Sequence, residues 1–360
     1  MHFRQVRARN FRLLKNLALE LHPKFNFVIG GNGAGKTTIL EALYVLGRAN
    51  SYRGSAQTLV SDGQSTWALE AQQRNADETA PGNKILVRWA DRQVSVQINE
   101  RAVALIELVR AVPVLVLDPL VQRLIEEGPG IRRRYVDWGV FHMEQRFHQV
   151  WLRVNRTLKQ RNAGLRARVP PRALTGWNRE LAKAAVELTA MRQSYIDAVQ
   201  AVAATYWLRL IGDTDWRLSF HPGWRGGSDY LEVLEANYES DLKAGYTREG
   251  PHRAELLVLS DNRQLRDRIS RGQQKLLIAG LVLAQCELYR RTHVSSPLLL
   301  VDDFAAELSA DSQRRLLNEL ENYPGQKAVA ALEYSELLEN TANHSMFHVE
   351  HGQLTITRTK

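Results

Sequence analysis

A glycine-rich segment followed by a lysine and a threonine is the part of the sequence best suited to chemistry. Residues 30–37 read Gly-Gly-Asn-Gly-Ala-Gly-Lys-Thr and fit the phosphate-loop pattern GxxxxGK(S/T), between a strand-like and a helix-like segment. In this pattern backbone N–H groups surround the nucleotide phosphates, Lys36 adds a positive charge, and the Thr37 hydroxyl can ligate Mg²⁺. We therefore expect a nucleoside triphosphate to bind here. The expected binding residues are Gly30, Gly31, Asn32, Gly33, Ala34, Gly35, Lys36, Thr37 and Thr38.

Two adjacent aspartates supply the acidic groups that such a site needs. Leu298–Val301 is an apolar strand-like run, and Asp302 and Asp303 follow it directly. In a parallel sheet the carboxyl ends of the strands form the edge at which phosphate ligands bind. We expect Asp302 to orient Mg²⁺ and Asp303 to position or deprotonate the attacking water, with Lys36 as the second catalytic residue.

A second segment with anion-binding character precedes a long apolar helix. Residues 269–274 read Ile-Ser-Arg-Gly-Gln-Gln. A serine and a glycine at a helix N-terminus can bind an anion, and they can equally form a simple helix cap. Because the chain already has a phosphate loop, we expect this segment to close over a nucleotide held by a second copy. The residues concerned are Ser270, Arg271, Gly272 and Gln273.

The elements around these motifs predict an α/β body with an inserted helical lobe. Strand patterns occur at residues 25–29, 85–89, 94–98, 112–117, 256–259, 298–301 and 327–332. Between residues 131 and 210 apolar residues recur at helical spacing, without the sustained heptads of a long coiled coil. We expect a mixed sheet flanked by helices, formed by residues 1–122 and 249–360, and a mostly helical lobe at residues 123–248.

The positive charge of the chain is unevenly distributed. The 48 Lys and Arg against 39 Asp and Glu give a formal charge of +9, and residues 123–192 alone carry +9. A basic lobe is compatible with nucleic acid or an anionic surface as a partner, but on charge alone a solvated face is the commoner explanation. If the partner is DNA, its phosphates would contact this lobe. The candidates are Arg132, Arg133, Arg134, Arg146, Arg153, Arg156, Lys159 and Arg161.

Composition argues against a secreted or membrane protein. The only cysteine is Cys286, which excludes an intramolecular disulfide and suits a reducing compartment. The longest uncharged apolar stretch, residues 276–286, has 11 residues, whereas a membrane span needs about 20. The N-terminus lacks the apolar region of a secretory signal. We expect a cytoplasmic protein.

The order of the three motifs resembles that of the ABC-type ATPase heads of SMC-like proteins. A closer resemblance is to the RecF family of bacterial recombination-repair proteins, through motifs that lie between residues 10 and 308. These motifs are Asn10-Phe11-Arg12, Gly31-Asn32-Gly33 with Leu40-Glu41-Ala42-Leu43, Gly128-Pro129 with Arg132-Arg133-Arg134-Tyr135-Val136-Asp137, Leu158-Lys159-Gln160-Arg161-Asn162, Gly250-Pro251-His252-Arg253, Ser270-Arg271-Gly272-Gln273-Gln274-Lys275 and Asp302-Asp303. The chain departs from the family pattern at Ser309, where an aspartate is usual. It also has Glu333 where transporter heads place a histidine.

The resemblance implies an ATP-dependent homodimer with two ATP molecules at its interface. Each ATP would lie between residues 30–38 of one copy and residues 270–272 of the other. The resemblance further implies Mg²⁺, weak DNA-stimulated ATPase activity, and binding of single-stranded, duplex and gapped DNA. It also implies cooperation with RecO and RecR in loading RecA.

Two other function classes are open on the sequence. A transporter ATP-binding subunit has the same motifs, but its insert between the phosphate loop and the Ser-x-Gly-Gln segment is much shorter than residues 39–268. Another short-armed SMC-like ATPase, with a structural or defence function, is disfavoured only by the family-specific motifs of the middle of the chain.

Overall fold

The chain divides into two compact units, each of which is built from separate stretches of sequence. A computed structural model describes residues 1–74, 82–118, 123–212, 214–265, 268–333, 335–339 and 341–359. Unit 1 comprises residues 1–121, 209–211 and 271–360, and unit 2 comprises residues 122–208 and 212–270. The predicted fold, an α/β body with an inserted helical lobe, is confirmed.

The phosphate loop follows a strand of a six-stranded sheet in unit 1, which positions it. The strands of this sheet are β3 (Phe25–Ile29), β8 (Val114–Leu117), β12 (Leu298–Val301), β13 (Lys327–Ala331), β14 (His344–Glu350) and β15 (Gln353–Thr359). Their order is β15-β14-β3-β13-β12-β8, and every pair is parallel except β14 with β15. All residues of β3, β12 and β13 are buried, as expected for parallel strands that are covered on both faces.

A second, antiparallel sheet of unit 1 packs on the other side of one helix. Its strands are β1 (His2–Phe11), β2 (Leu14–Glu20), β4 (Trp67–Arg74), β5 (Lys84–Ala90), β6 (Gln93–Ile98) and β7 (Arg101–Ala102), in the order β2-β1-β4-β5-β6-β7. Helix α1 (Lys36–Arg48) contacts strands of both sheets and is buried along almost its whole length. The two sheets and α1 therefore share one apolar core.

The remaining helices of unit 1 are α2 (Leu105–Ala111), α9 (Arg271–Thr292), α10 (Ala310–Asn322) and α11 (Glu336–Glu339). Helix α9 is buried continuously from Gln274 to Cys286 and packs against β8. The Nζ atom of Lys327 donates hydrogen bonds to the carbonyl oxygens of Leu320 (2.8 Å) and Tyr323 (2.6 Å). A buried lysine thus satisfies backbone acceptors at the end of α10.

Unit 2 consists mainly of helices. They are α3 (Arg123–Glu126), α4 (Pro129–Met143), α5 (Phe147–Arg166), α6 (Pro171–Leu210), α7 (Tyr230–Ala236) and α8 (Tyr238–Ala244). Helix α6 has 40 residues and is therefore about 60 Å long. It forms an antiparallel hairpin with α5, because Arg153 pairs with Glu187 near one end and Arg161 bonds Asn178 near the other. In the part of the chain that the structure describes, no helix is both long and apolar enough to span a membrane.

The predicted boundary of the helical lobe at residue 248 is too early. Strand β10 (Glu255–Ser260) pairs with β9 (Arg217–His221) on one side and with β11 (Arg263–Gln264) on the other, and all three strands belong to unit 2. Residues 249–270 therefore complete the second unit, and the chain returns to unit 1 at Arg271. The other predicted boundary, between residues 122 and 123, adjoins residues 119–122, which lie outside the described residues.

Candidate functional site

The phosphate loop lies between the buried strand β3 and helix α1, as the motif predicts. Gly30 is packed so closely that a Cβ atom there would lie 2.3 Å from the carbonyl oxygen of Val349. Gly33 and Gly35 have φ angles of +76° and +115°, a region that favours glycine. The glycines therefore allow the chain to turn tightly into α1, whose N-terminus points its free N–H groups at the loop.

The side chain of Lys36 folds back into this loop. Its Nζ atom donates hydrogen bonds to the carbonyl oxygens of Gly30 (2.7 Å) and Gly31 (2.9 Å). Burial lowers the pKa of Lys36, whereas the nearby carboxylates of Asp303 and Asp302 raise it. The ammonium group is thus held within a turn of backbone N–H groups, which is a suitable place for an anion to bind.

Thr37 and Asp302 meet beside the loop although 265 residues separate them. The hydroxyl of Thr37 donates a hydrogen bond to Oδ1 of Asp302 over 3.3 Å. Burial raises the pKa of Asp302, and the hydrogen bond from Thr37 opposes this effect. The backbone N–H of Asp302 donates to the carbonyl of Leu117, which fixes the end of β12 beside β8. The sheet therefore brings together the two oxygen-bearing side chains that the sequence proposed as metal ligands.

Asp303 follows in a strained backbone conformation that a buried lysine holds in place. The φ angle of Asp303 is +52°, and its side chain is half-buried. The Nζ atom of Lys275 donates hydrogen bonds to the carbonyl oxygens of Asp303 (2.6 Å), Phe304 (3.2 Å) and Ala306 (2.9 Å). The sequence motifs predicted no role for Lys275. A lysine within an otherwise apolar helix was the available signal.

The start of α9 contacts the loop that follows Asp303. A Cβ atom on Gly272 would lie 2.6 Å from the carbonyl oxygen of Glu307, and Arg271 forms an exposed 3.4 Å ion pair with the Glu307 carboxylate. Ser270, Arg271 and Gln273 are exposed, whereas Gln274 is buried. Three of the four predicted signature residues, all except the half-buried Gly272, therefore face solvent.

The departures from the family pattern have local structural roles or none. The Ser309 hydroxyl accepts a 3.3 Å hydrogen bond from the backbone N–H of Ser312, so it caps the N-terminus of α10. Glu333, which stands where transporter heads place a histidine, is exposed.

A buried ion pair that the sequence analysis missed lies behind α1. The Nε atom of Arg12 lies 2.5 Å from Glu41, whose side chain is fully buried, and the Ser51 hydroxyl donates to the same carboxylate. Arg12 and Glu41 each belong to a motif that carries the family resemblance, and their contact joins the two motifs in space. Tyr52 follows Ser51, and burial raises the pKa of its phenol, as do Asp302 and other nearby carboxylates.

The three arginines at the start of α4 differ in their surroundings. The Nε and Nη2 atoms of Arg132 donate hydrogen bonds to the Glu255 carboxylate, at 2.6 and 2.7 Å, and Nη1 donates to two carbonyl oxygens. This side chain joins α4 to β10, so the prediction of a DNA contact is wrong for Arg132. Arg133 donates to the carbonyl oxygen of Ala254 (2.8 Å), whereas Arg134 is exposed. For Arg133 and Arg134 a DNA contact stays a prediction.

The prediction of a DNA contact is also wrong for Arg161, which is completely buried. Its guanidinium donates hydrogen bonds to Asn178 (2.8 Å), Asp241 (2.7 Å) and Thr247 (2.7 Å), and to the carbonyl oxygen of Leu234. A charge with four buried partners is a structural element of the lobe, because moving it to solvent would leave the Asp241 carboxylate unpaired.

The other predicted contacts on α5 fall into two groups. Arg146 and Arg153 both pair with Glu187, and Arg153 also lies 3.5 Å from Glu180. Arg156 and Lys159 are exposed. Among the described residues, acidic side chains neutralise the charges of the first group but not those of the second group.

Comparisons with known proteins agree with this arrangement of motifs. The family model of the RecF, RecN and SMC N-terminal domain matches residues 2–355. The DNA replication and repair protein RecF of Shewanella piezotolerans is 34% identical over 99% of this chain and 99% of its own length. The RecF protein of Pseudomonas aeruginosa is 34% identical over 100% of this chain and 99% of its own length.

Solved structures show the same fold. The recombination mediator protein RecF, in complex with ATP, superposes with a TM-score of 0.88 at 22% identity, covering 99% of this chain and 98% of its own. An SMC head bound to the C-winged helix domain of ScpA superposes with a TM-score of 0.61 at 14% identity, covering 99% and 97%. The fold is that of an ABC-type ATPase head, and the chain belongs to the RecF family of DNA replication and repair proteins.

Proposed function

We propose that the protein is an ATP-driven, DNA-binding switch that dimerises when it binds ATP and is released by slow hydrolysis. The observation that carries this proposal is the meeting of Thr37 and Asp302 beside a phosphate loop that already holds the Lys36 ammonium group. The membership of the RecF family, with relatives named for DNA replication and repair, supports DNA as the partner.

The phosphate loop and the N-terminus of α1 are suited to hold the triphosphate of ATP. Backbone N–H groups of residues 30–38 can donate to phosphate oxygens, and the helix dipole favours their negative charge. Lys36 supplies a full charge within the loop, where it now bonds to carbonyl oxygens. The ATP-bound RecF structure, which has the same fold, supports this nucleotide.

Thr37 and Asp302 are suited to hold Mg²⁺. A hydroxyl and a carboxylate are hard oxygen donors of the kind that Mg²⁺ prefers, and the two groups already lie 3.3 Å apart. When bound, the metal would supply positive charge that neutralises the charge of the phosphates. Burial raises the pKa of Asp302, and the neighbouring carboxylate of Asp303 raises it further, so a bound cation would be stabilised at this position.

Asp303 is the group that we assign to orient or deprotonate the attacking water. Its positive φ angle and the three hydrogen bonds from Lys275 to the following backbone fix where its carboxylate stands. Lys275 acts on Asp303 through the backbone and is therefore a positioning residue. The strain at Asp303 is of the kind that is retained at sites of chemistry.

Ser270, Arg271, Gly272 and Gln273 are assigned to the nucleotide held by a second copy. Three of the four are exposed, and Gly272 packs against the loop that follows Asp303. A second copy bound at these residues would therefore also lie close to the loop that follows Asp303. In this arrangement ATP joins two copies, and their basic surfaces act on one DNA molecule. Linkage then requires that DNA favour the dimer as much as the dimer favours DNA. Cooperation with RecO and RecR in loading RecA at gaps belongs to the same proposal, and the RecFOR pathway named for the structural relative supports it.

The test is DNA binding against salt concentration, with and without ATP, on gapped and blunt duplexes of equal length. We expect ATP to raise the affinity and to steepen the dependence on salt, because two basic surfaces then contact phosphates instead of one. Equal affinity and equal salt dependence in the presence and absence of ATP would contradict the proposal.

A further inference from the structure

A set of exposed basic side chains lies along the α5–α6 hairpin of unit 2, and most of it was not among the predicted DNA contacts. Three of these side chains are on each helix, at spacings of three, four and seven residues that keep them on one exposed face. We name this set the hairpin basic surface. It consists of Arg156, Lys159, Arg166, Arg172, Arg179 and Lys183.

Ion pairs between the helices place both halves of this surface on the same side of the hairpin. Arg153 on α5 contacts Glu180 and Glu187 on α6. Arg156 lies three positions after Arg153. Lys183 lies three positions after Glu180 and four positions before Glu187. Because residues three and four apart are neighbours on a helix, Arg156 and Lys183 flank the same ion pair.

The charges of the hairpin basic surface are free to meet a ligand. None of its six members forms an ion pair with a residue that the structure describes. By contrast, Arg146 and Arg153 share Glu187, and Arg161 is buried with Asp241. The unneutralised charge of the hairpin therefore lies further toward the connection between the helices than the sequence analysis placed it.

The dimensions and composition of this surface suit the phosphate backbone of a duplex. Residues 156 to 166 of α5 and 172 to 183 of α6 each span about 15 Å, a length over which duplex DNA carries about nine phosphate charges. The one aromatic residue in these stretches, Trp177, is half-buried and packs beside Gly164, so no fully exposed ring provides the stacking platform of a single-strand binding protein. The large exposed apolar side chains of the hairpin, among them Leu152 and Val186, lie beyond the inner end of this surface, so the surface has no apolar centre for a protein partner.

We propose that the hairpin basic surface binds the phosphate backbone of duplex DNA without reading its sequence. This inference rests on the proposed function and assigns its DNA contacts to six residues, of which only Arg156 and Lys159 were predicted. Because the side chains stand on two packed helices, the surface is in place before DNA binds.

The experiment compares two triple variants that remove equal charge from unit 2. The test variant is Arg156→Ala, Lys159→Ala and Arg179→Ala. Alanine is the best helix former, so the hairpin should fold normally. The control variant is Arg217→Ala, Arg225→Ala and Arg263→Ala, three exposed arginines outside the hairpin. Binding of the full-length proteins to a labelled duplex and to a single strand of equal length is followed by fluorescence anisotropy over a series of salt concentrations.

For the test variant we expect duplex affinity to fall about tenfold or more at low salt. We also expect the slope of log affinity against log salt to become shallower by about 2 to 3, since each lost phosphate contact contributes about 0.9. The control variant should keep the wild-type slope, and all three proteins should bind ATP equally. An unchanged slope in the test variant, or an equal loss in the control, would overturn this assignment and leave an acidic protein as the remaining ligand for the surface. Failure of the wild-type protein to bind duplex at any salt concentration would instead contradict the proposed function itself.

Discussion

The Lys36→Ala variant is expected to bind ATP at least about 100-fold more weakly than the wild-type protein and to show no ATP-dependent dimerisation. The ammonium group of Lys36 is held inside the phosphate loop by the carbonyl oxygens of Gly30 and Gly31. Hydrogen bonds that involve a charged group contribute about 1.5–3 kcal/mol each, so two such bonds to phosphate oxygens account for a loss of this size. Titration calorimetry measures the affinity directly.

The matched control for this variant is Lys24→Ala. Lys24 is an exposed lysine just before β3, so its removal makes the same change in charge on the same unit without touching the loop. We expect Lys24→Ala to bind ATP as the wild-type protein does. If Lys36→Ala keeps wild-type affinity, or if both variants lose it equally, the assignment of Lys36 is incorrect.

The Arg161→Met variant is expected to lose about 3–5 kcal/mol of unfolding free energy. Methionine fills similar space but leaves the carboxylate of Asp241 buried without its cation, and also removes the donors to Asn178 and Thr247. Urea denaturation of the full chain measures the change, with unit 2 as the part that should unfold first.

An exposed arginine on the same helix provides the comparison. Arg156→Met removes the same charge from α5 at an exposed position, where substitutions usually change stability by about 0.5 kcal/mol or less. A loss below about 1 kcal/mol for Arg161→Met would mean that the buried network does not stabilise the lobe. Folded Arg161→Met protein should bind DNA with the affinity of the wild-type protein, because Arg161 is not accessible to a ligand.

The elements of unit 1 that carry the site could be predicted because each has a strong local pattern. The run at residues 25–29 is apolar except for Asn26, and it is the fully buried strand β3. The glycines and lysine that follow fix a loop and the start of α1, since few other structures use that spacing. The joining of Thr37 with Asp302 could also be expected, because parallel strands end at one edge of the sheet, however far apart they are in the chain.

Contacts between distant segments without a motif could not be predicted in this way. Residues 256–259 form a short apolar run typical of a strand, but the run does not reveal that the partner strand is β9 of unit 2. The charge of Arg161 and that of Arg156 look alike in the sequence. Arg161 is buried because partners from distant segments, among them Asp241 and Thr247, surround it, whereas Arg156 is exposed.

Two supporting contacts of the site were hidden for the same reason. Lys275 acts through three carbonyl oxygens of the loop after β12, and carbonyl oxygens leave no signal in a sequence. Arg12 and Glu41 were visible as members of family motifs, but their ion pair required the packing of α1 against β1. Motifs thus predicted residues that would touch the nucleotide, and the structure was needed for the residues that position them.

The most direct test of the central claim, that ATP is bound between two copies of this chain, is sedimentation velocity with and without ATP and Mg²⁺. We expect the wild-type protein to change from monomer to dimer when ATP is added. The Ser270→Arg variant should bind ATP with normal affinity but remain a monomer, because the added side chain would obstruct the segment assigned to the partner's nucleotide. A Ser270→Arg protein that dimerises like the wild type, or a wild-type protein that stays monomeric with ATP, would contradict the account.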